Sequence, residues 1–419
     1  MIRLAVLKFL CLIAFVPVLA QNEPSVQAEP LIEDSANFVR AWLMVAEPSH
    51  LFPQTAFGHA FLRMQSPPNN LDYCFSMESG KFEGFFDICL GHYPNRLIPT
   101  PSAEYLRQFS VEGRIVTAYP LNISLEEGQH LWQLLDETAV AGDSPYHDFF
   151  HHGCSHEIVD LLERGLGGRI VFGPAARQYD GTLFSLGDRL MAANHPIRMA
   201  PFMLMTTDGS DRPLTDMDKT TFPTILPDIL GDATVEKADG TRHAIFKPSA
   251  APEVISPPQR AVSTAWPLGA WLGLLLAVTV VVCGVALLVR RRWSERCAHV
   301  WCVVLFVLYC LLTLIIHFFC LLSSLPTIHG WNWNLLIYNL IPIAVWIVGR
   351  LRHFTLRQWR TVYLGYGVWL CLFMAVMALW GGHQIAEQHL LTATFAVGCL
   401  YRAVTPADDS SPGKKKKRA

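Results

Sequence analysis

Hydrophobic and polar positions divide the chain into three kinds of segment. From Phe9 to Val18 the run is apolar, with Arg3 and Lys8 before it and the small-residue pattern Val18-Leu19-Ala20 at its end. That is the layout of a secretory signal peptide over residues 1–20, with cleavage expected before Gln21. From about Gln21 to Val262 apolar and polar residues alternate and cluster as in a globular domain. From about Trp266 to Tyr401 apolar runs return, now long enough to cross a hydrocarbon core. They are Trp266–Val289, Ala298–Leu322, Asn332–Gly349, Thr361–Trp380 and a shorter one, about Gln388–Val404, edged by Glu387 and His389. Residues 266–404 are therefore expected to form an all-α membrane domain of five transmembrane helices.

Charge in the loops gives the orientation. Arg290, Arg291, Arg292 and Arg296 follow the first run, and Arg350, Arg352, Arg357 and Arg360 follow the third. Residues 323–331 and 381–387 hold no Lys or Arg, and Arg402 with the Lys414–Arg418 cluster follows the fifth. Positive charge thus marks every second loop, as the positive-inside rule requires. This places the globular domain outside the membrane and the C-terminal tail, 405–419, in the cytoplasm; the signal peptide gives the same orientation independently. Residues 21–34, with two prolines and four acids, read as a flexible lead-in, 35–246 as the exported domain, and 247–265, with four prolines, as an extended linker.

Composition sharpens this picture. The chain of 419 residues is 51% hydrophobic and 16% charged, against about 25% charged in soluble domains, which excludes a disordered chain and an ordinary cytosolic enzyme. A net charge of -2 leaves no basic excess for nucleic acid, and no motif for binding it occurs. Of the eleven cysteines, Cys11 leaves with the signal peptide and seven lie in or beside the apolar runs, where cysteine acts as a small apolar residue. The exported domain keeps Cys74, Cys89 and Cys154. Three is odd, so at least one thiol is unpaired within the chain. Cys74–Cys89 is a candidate bridge, which would leave Cys154.

Cys154 has the setting of a nucleophile. After it, Ile158, Val159, Leu161, Leu162 and Leu166 recur with helical spacing, Glu157 and Asp160 occupy the early turns, and Gly165 and Gly167 end the pattern. A cysteine at a helix N-terminus is shifted toward thiolate and has backbone N–H donors beside it for an oxyanion. The base it needs is His59, in the strand-like Ala56-Phe-Gly-His-Ala-Phe-Leu-Arg-Met64, where Gly58 permits close backbone approach. A second strand, Leu71-Asp-Tyr-Cys-Phe-Ser-Met77, follows a Pro-Pro-Asn-Asn turn, and Asp72, Tyr73 or Ser76 is expected to orient the imidazole. The bland reading is a buried small cysteine and a satisfied core histidine. A second rival is metal: His147, His151, His152 and His156 surround Cys154, but their spacing fits no closed zinc motif. No metal and no cofactor is expected.

These segments resemble the Lnb family, which joins a periplasmic domain to a five-helix membrane domain. The likeness is carried by Thr55-Ala-Phe-Gly-His-Ala-Phe-Leu-Arg63, by Tyr146-His-Asp-Phe-Phe-His-His-Gly-Cys154, by Asp208–Thr215 with Phe222 and Leu226–Leu230, and by Asn332–Leu336 with Pro342. The resemblance implies an α+β permuted papain-like periplasmic domain, the order His-then-Cys being that of the permuted fold. It further implies a bacterial inner-membrane enzyme that moves an acyl chain from phospholipid, through a thioester on Cys154 with His59 as base, to the N-terminal amine of a diacylglyceryl-cysteine lipoprotein. The expected partners are therefore a phospholipid donor, a diacylated lipoprotein acceptor and the bilayer. Gly153 stands where the family carries Asn, so His152 or Ser155 is expected to help at the oxyanion, and Ser-His-Glu after Cys154 departs from the family's run. Two other classes share the pattern: a membrane-tethered thiol peptidase, amidase or phospholipase, and a non-catalytic envelope assembly module.

Overall fold

The computed structural model describes residues 39–49, 56–79, 90–91, 95–142, 153–192, 195, 198–204, 210, 212–256, 266–325, 328–380 and 384–405. Residues 36–419 form one compact unit. The signal peptide and the basic tail lie outside the described residues.

The first half is a mixed α/β domain built on an antiparallel sheet. Its strands are β1 (Arg40–Ala46), β2 (His59–Ser66), β3 (Leu71–Ser79), β4 (Asn95–Pro101), β5 (Val116–Pro120) and β9 (Glu253–Ser256), in the order β4-β3-β2-β1-β5-β9. A short hairpin of β7 (Thr234–Lys237) and β8 (Arg242–Ala244) adds to β6 (Gly168–Val171) as a second sheet. The β2–β3 turn is the Pro-Pro-Asn-Asn segment: Pro67–Asn69 make a single 3-10 turn and Asn70 closes it at φ 53°. Strand β9 lies within the stretch read from sequence as linker. Its residues complete the edge of the sheet, so Glu253–Ser256 belong to the α/β domain.

Among the described helices, α1 (Ser102–Glu112), α2 (Leu125–Ala141) and α3 (Cys154–Gly165) cover the main sheet. Leu43, Val45, Ala60, Leu62, Met64 and Phe75 point to one face and pack against Leu131, Trp132 and Leu135 of α2 and Ile158, Leu161 and Leu162 of α3. Met44, Ala46, Phe61 and Cys74 point to the other and meet Tyr105 and Phe109 of α1. With both faces covered, the middle of the central strand β1 is apolar throughout, Trp42 to Ala46, rather than alternating. Helix α2 starts with a capping box, the Glu127 N–H donating to Ser124 Oγ at 3.1 Å and the Ser124 N–H to Glu127 Oε2 at 2.7 Å. Four short helices follow: α4 (Leu183–Leu190), α5 (Met199–Leu204), α6 (Asp216–Lys219) and α7 (Leu226–Gly231).

The second half is helical: α8 (Leu268–Val289), α9 (Arg292–Leu322), α10 (Ile341–Leu351), α11 (Leu356–Trp380) and α12 (Ala386–Val404). Among the described residues, four segments are long and apolar enough to cross a membrane: α8, α9, Trp333–Leu351 and α11. The third is broken, a 3-10 turn over Trp333–Leu336 leading into α10. Its unwound carbonyls are met inside the bundle: Tyr309 Oη donates to the carbonyls of Ile337 and Asn339 at 2.9 and 2.8 Å, and Trp369 Nε1 to that of Leu336 at 2.9 Å. Non-helical backbone at membrane depth survives only with such internal partners. The fifth expected span, α12, is a helix of a different kind. It is the enclosed member of the bundle, with Glu387, Gln388, Thr392 and Thr394 buried along it. Protein rather than lipid surrounds it, so its sequence does not have to be uniformly apolar.

Candidate active site

Two elements meet at the start of β2. Gly58 takes φ 91°, and a Cβ there would lie 2.7 Å from the Ala46 carbonyl oxygen. A glycine is therefore required for β2 to dock beside β1, and His59 is the first residue after it. Helix α3 runs against β2 from the other side, driven by its apolar stripe, and its first residue is Cys154. The result sets the Cys154 thiol beside the His59 imidazole, close enough for each to act on the other's charge, with the Ala60 N–H also acting on the sulfur. Gly153 caps the helix in an extended conformation and brings no capping side chain, so the cap itself occupies none of the first-turn amides beside the sulfur.

Behind the imidazole lies a short polar cluster. His59 Nε2 is 2.7 Å from Ser76 Oγ, 3.1 Å from Tyr105 Oη and 3.7 Å from Glu78 Oε1. Tyr105 Oη donates to Glu78 Oε1 at 2.5 Å, and Ser76 Oγ donates to the same oxygen at 2.8 Å. The His59 ring also stacks on Phe61 and Phe109, with centroids 5.9 and 6.4 Å away. Aromatic walls and a tethered carboxylate thus hold the ring in place.

The electrostatics follow from this geometry. Burial by itself lowers the pKa of His59, but the charge and hydrogen bond of Cys154, then those of Glu78, reverse the effect and lift it to about 10. Burial by itself raises Cys154, yet the charge and hydrogen bond of His59, with the Ala60 N–H, bring it below the ordinary thiol range. Burial likewise raises Glu78, and His59, Tyr105 and Ser76 outweigh it, bringing the carboxyl down to about 2. The preferred state is a thiolate–imidazolium pair with an ionised carboxylate behind it. The two members titrate as a pair.

Of the residues expected to orient the imidazole, Ser76 does touch it. Asp72 does not: it accepts from Arg63 Nε and Nη2 at 2.8 and 2.6 Å. It pairs across from Gln65, six residues and about 20 Å along the strand from His59. Tyr73 is ruled out by strand alternation, which turns it to the opposite face, against the core under α2 and α3. Ser155 is fully buried and its Oγ donates to the Thr221 carbonyl at 2.9 Å, tying the start of α3 to the chain after α6. His152, His147, His151 and Cys89 lie outside the described residues. Cys74 is a buried free thiol, hydrogen-bonded to Ser102 Oγ at 3.4 Å. No group of three or more His, Cys, Asp or Glu side chains that could hold a metal occurs among the described residues. Sequence reading missed Glu78 and Tyr105. The signal for Glu78 was present: the β2–β3 register pairs Leu62 with Phe75 and Arg63 with Cys74, and three more steps bring His59 opposite Glu78. Tyr105 comes from α1 and has no local signal.

No curated protein and no solved structure matches the chain. Residues 39–175, which hold both His59 and Cys154, match the family model of the Lnb N-terminal periplasmic domain. That domain, with four helices among the described residues long and apolar enough to span a bilayer, supports a multi-pass inner-membrane protein whose N-terminal domain is of the Lnb type.

Proposed function

We propose that the protein is a lipoprotein N-acyltransferase working through a Cys154 thioester. The observation that carries this reading is the juxtaposed Cys154–His59 pair, each shifting the other toward thiolate and imidazolium, in a chain whose second half holds helices long and apolar enough for a bilayer. The Cys154 thiolate attacks an ester carbonyl of a phospholipid. The tetrahedral oxyanion is held by amides at the start of α3. It collapses as the His59 imidazolium gives its proton to the leaving alkoxide, releasing lysophospholipid and leaving acyl-Cys154. The free amine of a diacylglyceryl-cysteine then attacks the thioester, neutral His59 takes the proton it sheds, and the amide leaves with Cys154 restored as thiolate. Two transfers replace one difficult one. Since Nε2 of His59 faces Ser76, Tyr105 and Glu78, Nδ1 is the nitrogen assigned to the sulfur.

In this reading the α/β domain is a permuted papain-like fold. The chain is exported by its signal peptide, crosses the membrane five times with α12 as the enclosed fifth span, and ends in the cytoplasm. Both substrates are membrane-anchored, which is why the site belongs on a membrane protein. Water must be kept from the thioester, or the enzyme becomes a phospholipase. The test is mass spectrometry of lipoprotein N-termini from cells carrying wild-type, Cys154→Ala or His59→Ala protein. N-acylated termini in the wild type alone support the proposal; the same termini in both variants overturn it. A soluble α/β domain that cleaves peptide bonds without the helices would favour the peptidase reading instead.

A further inference from the structure

The sequence block that runs from Asp208 through Phe222 to Leu230 lies beyond residues 39–175, the part matched to the family model, and supplies neither Cys154 nor His59. Its middle, residues 216–225, touches the element behind each of them. It comprises α6, a short link and a 3-10 turn over Pro223–Ile225. On the Cys154 side, the Thr221 carbonyl accepts from Ser155 Oγ at 2.9 Å, and Thr220 Oγ1 lies 3.5 Å from His156 Nδ1. Ser155 and His156 are the two residues that follow Cys154 in α3. On the His59 side, the Phe57 ring packs edge-on against Phe222, with centroids 5.1 Å apart. A Cβ built at Gly58 would lie 3.3 Å from Thr224 Cγ2 and 3.5 Å from Pro223 Cβ, so the 3-10 turn sits against the backbone just ahead of His59. A few consecutive residues thus bridge the start of α3 and the start of β2.

A buried cation holds this bridge. Lys219 is 1% exposed, and its Nζ donates to the Ala176 carbonyl at 3.0 Å, to Asp180 Oδ1 at 2.6 Å and to Asp216 Oδ1 at 2.8 Å. Three acceptors match the three protons of an ammonium, and a lysine is buried this deeply only when so paired. Ala176 lies in the 3-10 turn Pro174–Tyr179, and Asp180 follows it, so Lys219 ties α6 to a second element, two residues before the carbonyl that holds Ser155. The charged groups that act on the sulfur are His59 from β2, Glu78 from β3 and Arg114 just ahead of β5, with His156 and Glu157 in its own helix. Lys219 spends its charge on two carboxylates, so what it gives the site is position rather than field. We infer that Lys219 is a positioning residue for the reactive pair: pinned by Ala176, Asp180 and Asp216, it holds residues 216–225 as a brace that keeps Cys154 and His59 at reacting distance. The inference rests on that pair as the centre of the proposed acyl transfer. A misplacement of about 1 Å at such a centre can cost roughly 10²-fold in rate.

The experiment follows carbamidomethylation of Cys154 by iodoacetamide against pH, in full-length protein in dodecylmaltoside micelles, with the modified residue identified by peptide mass spectrometry. The thiolate is the reacting form, so the midpoint of the rate profile reports the state of the pair. Lys219→Met and Ser155→Ala are each expected to raise the midpoint by about one pH unit, about tenfold in rate below it, while thermal melts stay cooperative. In a His59→Ala background the thiol has no partner to be held against, and neither substitution is expected to move the midpoint further. An unchanged midpoint in folded Lys219→Met overturns the inference. So does a shift of equal size that persists in the His59→Ala background, the mark of a lost field or a loosened helix. If Lys219→Met no longer melts cooperatively, Ser155→Ala, which cuts the brace at its contact with α3, decides by the same criterion with and without His59→Ala. Wild-type protein that meets these expectations yet forms no acyl-Cys154 from phosphatidylglycerol would remove the proposed function and leave the brace standing.

Discussion

One face of the β2–β3 pair carries an ionic group at each end, and the two behave as opposites. At the turn end, Arg63 and Asp72 form a bidentate pair with Gln65 added, and Arg63 lies 5.4 Å from the Trp42 ring. The guanidinium cannot give up its proton, and the carboxylate is held below its ordinary range by Arg63 against the opposing effect of burial. Nothing there can move. At the other end the cation is an imidazole, its carboxylate partner Glu78 stands 3.7 Å away, and a thiol takes up the other side. The same strand geometry thus makes a rivet where the cation is fixed and an acid–base centre where the cation titrates.

The largest effect expected on that contrast is at the reacting pair. Cys154→Ala abolishes acyl transfer, and His59→Ala lowers kcat/KM by roughly 10³-fold, measured with purified full-length protein, a phospholipid donor and a synthetic diacylated lipopeptide. If either variant keeps wild-type rates, the reactive end is no more reactive than the riveted one.

Next in size is Glu78→Gln, which removes the charge that holds the imidazolium proton. A loss of about 10–100-fold is expected, the scale of a charge-assisted hydrogen bond worth roughly 1.5–3 kcal/mol. The pH profile gives the more specific signature. Activity needs Cys154 deprotonated, so it rises with pH through a thiol pKa below the ordinary range. It needs His59 protonated to expel the lysophospholipid, so it falls again near about 10. Without the Glu78 charge the pKa of His59 drops, and the alkaline limb moves to lower pH. An unmoved alkaline limb would show that the carboxylate does not govern the imidazole.

Tyr105→Phe removes one donor to Glu78 and leaves the charge in place. Its cost is expected to be about three- to tenfold in kcat/KM, with a smaller shift of the same limb.

The smallest effect on chemistry is expected at the riveted end. Arg63→Met and Asp72→Asn should change kcat/KM by less than about twofold while lowering stability by about 0.5–1 kcal/mol, since the pair is only partly buried. Thermal melts and rates on the same preparations check both halves. A rate loss as large as that of Glu78→Gln would cancel the distinction between the two ends.

Much of this arrangement was legible because it is local. The signature of Cys154 is a helix stripe that begins just beyond it, and the signature of His59 is a glycine and an apolar strand. The Pro-Pro-Asn-Asn turn even sets the register that brings Glu78 opposite His59, once the hairpin is paired residue by residue from Ser66–Leu71. Reading only as far as Met77 hid it. Asp72 and Tyr73 were misjudged because polarity was weighed without alternation and distance along the strand. Tyr105 was invisible, being brought in by α1, a helix more than 40 residues from His59 in sequence. In the second half the apolar runs gave four helices outright, whereas α12 blurred because a helix shielded by its neighbours can carry Glu387, Gln388 and two buried threonines.

The central claim is that the sulfur of Cys154 takes the acyl group. Intact-mass spectrometry of the full-length protein incubated with phospholipid and no acceptor tests it directly. The expected result is an added mass of one fatty acyl group, mapped to Cys154, released by neutral hydroxylamine and missing from His59→Ala. A protein that turns over lipopeptide while Cys154 stays unmodified and alkylatable throughout would contradict the account.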